Sequence, residues 1–270
     1  MIWERAVIPF LLFSSENWIR MSKESLKILT DLQNTFLRAV FSVASSCPIP
    51  IMLFDTKTLS MELRIMQRKL NFAYHLANLP ETSLGFKIYN EMRIFNLPGL
   101  HREIVEFMCE LGLKDMENYT LKEWKKEVLR KIEEKQYKDL MCQIKKYKKL
   151  SHEQLSQEEY QFKPYLNELK LRDARTRFKL RAMMLNSVKF NFQSDPQFTA
   201  ENWKCSCNGN NSPGQSQNHM KVCPKYGDLR QIFNLETDQG IVDYFDAILQ
   251  RLEEDDDDVE EADEDYKDHE

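Results

Sequence analysis

Between Trp203 and Arg230 the chain reads WKCSCNGNNSPGQSQNHMKVCPKYGDLR, a stretch that holds three of the six cysteines and one of the five histidines. The donors fall as Cys205, one residue, Cys207, eleven residues, His219, three residues, Cys223. Thiolate sulfur and imidazole nitrogen are the ligands of a tetrahedral zinc ion (Zn2+), so the four together could form a CCHC zinc-knuckle-like module. In the HxxxC half, positions four apart share one side of a helical turn. The CxC half is one residue shorter than the usual CxxC turn, whose backbone amides donate to the sulfurs, so its thiolates have less such support. Residues 208–217 are rich in Asn, Ser and Gly and have nothing apolar to order them without a metal or a partner. A surface loop with unmetallated cysteines is the other reading of this spacing.

A second chemistry precedes the cysteines. From Lys163 to Lys189 the chain carries eight basic and two acidic residues. Leu166, Leu169, Phe178, Ala182 and Leu185 can dock one helical face, leaving Arg172, Arg175, Arg177, Lys179, Arg181 and Lys189 as a basic row. With Phe178, Phe190 and Phe192 interleaved, that row suits RNA or DNA, with phosphates on the cations and bases stacked on the rings. An acidic protein partner, or the acidic tail of the same chain, would suit it equally.

Charge is distributed unevenly along the 270 residues. The formal net charge is −5, but residues 251–270 hold 13 acidic and two basic residues; setting aside their −11 leaves the first 250 at +6. Such a tail, nearly free of apolar residues, is expected to be disordered. The apolar content of 42% supports one or two ordinary cores. Six cysteines without an even framework of spacings point to a reducing, intracellular setting, nuclear or cytoplasmic. The apolar run Ala6–Phe13 is too short for a membrane span, is interrupted by Pro9 and lacks a cleavage site, so no membrane association is expected. Seven glycines, and no GxGxxG or GxxxxGK[ST] sequence, argue against a nucleotide site or any small-molecule ligand.

The elements that must position these residues read as a mainly α fold. Leu26, Leu29, Leu32, Phe36, Val40 and Val43 repeat at three to four residues and predict a helix ending before the CPIP turn. A second stripe runs through Leu59, Leu63, Met66, Leu70 and Tyr74, and Thr82 is placed to cap a helix bearing Leu84, Ile88 and Met92. Leu100, Ile104, Phe107, Met108 and Leu111 predict a short helix with Gly112 as its left-handed cap. Thr120 and Glu123 have capping-box spacing ahead of a long charged helix striped by Trp124, Val128, Ile132, Leu140, Ile144 and Tyr147. Cys109 and Cys142 are expected to be buried small apolar residues.

Several segments together resemble a known family. FKLRAMMLNSVKFNF, then CxC, then QNHMKVCPKYGDLR resembles the C-terminal region of the reverse transcriptase of non-LTR (LINE-type) retrotransposons. IPFLLFSSENWI is similar to that family's segment just after the polymerase, and the stretch from Leu32 to Met92 is similar to its thumb and connecting helices. The resemblance spans about residues 5–232, with CxC in place of the family's CxxC and a longer loop before His219. A short C-terminal helix at 236–252 and the disordered acidic tail at 253–270 are expected beyond the resemblance, which implies a helical thumb and connector bundle at 1–113, long charged and basic helices at 114–195 and the CCHC module at 196–235. It also implies zinc on Cys205, Cys207, His219 and Cys223, and a nucleic-acid grip of the kind used in target-primed reverse transcription. The polymerase motif [FY]xDD is absent, and without those metal-binding carboxylates no catalysis is expected. The expected function is thus a non-catalytic nucleic-acid-binding remnant of such a protein. A helical protein-interaction module with an unmetallated cysteine loop is the alternative.

Overall fold

Periodic apolar stripes on charged helices leave the chain little choice but helix packed on helix, and the computed structural model is mainly helical, with no strand among the described residues. It describes residues 3–18, 21–147, 152–184, 207 and 220–251. The main helices among the described residues are α1 (Lys23–Phe41), α2 (Ile49–Thr56), α3 (Met61–Ala77), α4 (Leu84–Ile94), α5 (Leu100–Leu111), α6 (Leu121–Ile144), α7 (Leu171–Arg181), α8 (Gly227–Ile232) and α9 (238–251), with shorter helical segments at Ile8–Leu11, His152–Gln157 and Tyr165–Glu168. They divide into two compact units, Met1–Leu37 with Ile49–Gln161, and Arg38–Pro48 with Phe162–Glu270. No helix among the described residues is long and apolar enough to cross a membrane.

The first unit is built on α3. Its Leu63, Met66, Leu70 and Tyr74 meet Ile104 and Leu111 of α5 and Trp124, Val128 and Ile132 of α6 in one buried cluster. Met61 and Ile65 of the same helix turn to a second cluster with Trp3, Ile8 and Leu12, where Trp3 stacks on Phe36 at 4.5 Å. Three helix starts have a clear chemical reason. Ser60 and Ser83 cap α3 and α4 by accepting from Leu63 N and Phe86 N, and Thr120 and Glu123 close the capping box of α6. Gly112 ends α5 at φ 60°, a left-handed position that a side chain would strain.

Two buried glutamines interrupt the stripes. Gln33 takes the place expected of Leu32, which is exposed, and donates from Nε2 to the Leu59 carbonyl at 2.8 Å. Gln136, between Ile132 and Leu140, donates from Nε2 to Thr58 O at 2.6 Å and accepts Ser60 N–H at 2.8 Å. Both satisfy the polar backbone between α2 and α3, which would be costly to leave unpaired inside.

Other expectations are corrected. Pro48 and Pro50 do not only make an extended turn: Pro50 lies in the first turn of α2, where a missing N–H costs nothing. On α4 the cap is Ser83 rather than Thr82; Leu84 is 72% exposed and Ile88 is also exposed, while Tyr89 is the buried residue. Cys109 and Cys142 are exposed free thiols, because both lie off the apolar stripes of α5 and α6.

Candidate nucleic-acid interface and cysteine turn

The basic row is carried by α7 in the second unit. Phe178 anchors the helix by stacking on Phe41 at 3.8 Å, and Leu180 joins the cluster beneath the cysteine turn. The basic segment is not one helix: Tyr165–Glu168 forms a separate turn, and α7 stops at Ala182, followed by Met183 at φ 54°. Along α7 the cations differ. Arg172 is 83% exposed and lies 3.4 Å from Asp246 of α9. Arg175 is half-buried and donates from Nε to the Val40 carbonyl at 2.8 Å. Arg177, only 17% exposed, pairs with Asp238 at 2.6 Å while its guanidinium sits 6.0 Å from the Tyr165 ring. Lys179 and Arg181 are half-buried, and Lys189 lies outside the described residues.

Helix α9 therefore presents carboxylates to α7. Gln239 binds its own helix at Asp243 (2.8 Å) and reaches Asp173 of α7 at 3.5 Å. Burial raises the Asp246 carboxyl above the ordinary range; Arg172 opposes this, while Asp173 and Asp243 add to it.

The closing half of the cysteine stretch is locked into the same unit. Met220 and Cys223 are fully buried with Leu180, Tyr226, Leu229, Tyr244, Phe245 and Ile248, and Cys207 packs against this cluster. Pro224 opens the short turn Pro224–Tyr226 and α8 follows directly, so the chain bends immediately after Cys223. Two side chains clamp that bend. Tyr244 donates its hydroxyl to Met220 O at 2.7 Å, and Arg230 Nη1 donates to Cys223 O at 2.7 Å. Burial raises the Tyr244 phenol, and Arg230, 3.5 Å from its oxygen, works the other way.

Cys207 and Cys223 thus face one cluster, and their thiols are donors of the type zinc takes. Cys205 and His219, the other two of the expected set, lie outside the described residues. Among the described residues no group of three or more His, Cys, Asp or Glu is placed to hold a metal.

Comparison with family models, curated proteins and solved structures finds no match to this chain.

Sequence reasoning did not single out Arg230, Tyr244, Asp238 or Asp246. Arg230 stood in the quoted KYGDLR, but a lone arginine does not announce a carbonyl clamp. Asp238 and Asp246 are eight residues apart, so they lie about 12 Å apart along one helix, a weak pattern without α7 beside it.

Proposed function

We propose that the chain is a non-catalytic nucleic-acid-binding remnant of a non-LTR retrotransposon reverse transcriptase. The observation that carries this reading is the order FKLRAMMLNSVKFNF, CxC, QNHMKVCPKYGDLR, which sets a basic helix directly ahead of the cysteine stretch. In this reading Arg172 and Lys179 contact phosphates, with the other cations of the row. Cys205, Cys207, His219 and Cys223 hold zinc, which would tie the loop of residues 208–217 down into a rigid nucleic-acid contact. Charged contacts of this kind release counterions, so affinity must fall as salt rises. Charge reversal at Arg172 and Lys179 is the cleanest test. At Arg175 the same change would also free the Val40 carbonyl and confound binding with folding. Each lost phosphate contact should lower the salt slope by about 1 and weaken binding across all sequences alike. Affinity indifferent to salt and to both substitutions would refute the reading.

A second reading has an observation of its own. The pairs Arg172 with Asp246 and Arg177 with Asp238 set carboxylates of the same chain against α7, which supports a helical interaction module with an unmetallated cysteine loop. Zinc content separates the two: protein purified without added metal should carry close to one equivalent in the first reading and only trace zinc in the second.

A further inference from the structure

We infer that α9 is a built-in competitor for the nucleic-acid face of α7, its carboxylates standing where phosphates would. The inference rests on the nucleic-acid reading above. Two contacts carry it. Asp238 holds the Arg177 guanidinium at 2.6 Å and Asp246 lies 3.4 Å from that of Arg172, two cations about 1.4 turns apart on α7. A nucleic-acid backbone presents anionic oxygens at repeated intervals, and α9 presents Asp238 and Asp246 in the same sense, bracketing Asp243.

The two pairs are not equivalent. Arg172 is largely in solvent, so its pair is weak and screened, and a phosphate can displace Asp246 readily. Arg177 is mostly covered, so its pair opens only if the side chain swings out or α9 shifts. Asp246 also sits uneasily where it is. Burial removes its water and Asp173 and Asp243 repel its charge, while Arg172 acts the other way. Lys179 is half-buried on the same helix and has no ion pair among the described residues, and it would add to the face once α9 gives way.

This arrangement makes affinity a contest within one chain. Replacing Asp238 and Asp246 by asparagine keeps side-chain size and hydrogen-bonding capacity while removing the charge, so α9 stays packed through Tyr244, Phe245 and Ile248. The full chain with both substitutions should bind a short single-stranded RNA oligonucleotide about fivefold more tightly than the wild type at low salt. A Glu236→Gln variant serves as control: it removes one negative charge from an exposed residue in the turn before α9. It should change affinity much less. Amide exchange in α9 should quicken when RNA binds the wild type. Equal affinity of wild type and Asp238→Asn/Asp246→Asn, with both binding RNA in a salt-dependent way, overturns the competitor while leaving the nucleic-acid reading intact. An effect of Glu236→Gln as large per charge also overturns it, since the gain is then only net charge. Absence of binding by every form overturns both.

Discussion

Single side chains do most of the positioning, and their removal should show it. Gln136 satisfies both a donor and an acceptor of the backbone between α2 and α3 from inside the core. Leu would fit the stripe but leave Ser60 N–H and Thr58 C=O unpaired, so Gln136→Leu should cost about 2–4 kcal/mol in denaturant unfolding, each orphaned group contributing about 1–3 kcal/mol before packing gains. Cys47 illustrates a titration at the same scale. Burial pushes its thiol up to about 11 from an ordinary 9.0, with Arg38 acting weakly against the shift. The fold favours the neutral thiol, so its contribution is intact below pH 9 and is lost as pH rises toward about 11. Alkylation of the native protein near neutral pH should therefore modify the exposed Cys109 and Cys142 quickly and Cys47 only on unfolding.

Helices were legible in the sequence wherever a continuous apolar stripe met a cap. The stripe of α3, the capping box of α6 and the glycine stop of α5 follow from spacing alone. Where polar residues took core positions, as with Gln33 and Gln136, periodicity pointed to the wrong neighbour or to none, because what buries them is a backbone partner far along the chain. The amphipathic α4 misled for a different reason: its apolar Leu84 and Ile88 are exposed, while a tyrosine supplies the buried contact. At the candidate site the donors could be read but not their support, since the Arg230 and Tyr244 clamp joins residues 7 and 24 positions apart. The turn into α9 offers an element-scale test. A Cβ on Gly240 would lie 1.9 Å from the Asn234 carbonyl oxygen, and Gly240 N–H also donates to Thr237 Oγ1 at 3.0 Å. Backbone cannot yield cheaply, so Gly240→Ala should destabilise the second unit by about 1–3 kcal/mol in thermal or urea unfolding.

The whole molecule joins a mainly helical body of net positive charge to a strongly acidic terminus, residues 253–270, which lies outside the described residues. Its carboxylates would add to those of Asp238 and Asp246, so truncation after Gln250 should tighten nucleic-acid binding at low salt; unchanged affinity would confine the competition to α9. Zinc, if held by the proposed ligands, would act at this scale too. The Met220–Tyr226 bend is held by Arg230, Tyr244 and apolar packing, so chelation should leave the helical circular-dichroism signal and the second unit's unfolding midpoint nearly unchanged while lowering RNA affinity. Most direct of all is the affinity of the full chain for single-stranded RNA measured as a function of salt. Log affinity should fall linearly with log salt, and less steeply when Arg172 and Lys179 are reversed, whereas no binding at low salt, or binding that ignores both salt and those cations, would contradict nucleic-acid recognition by α7.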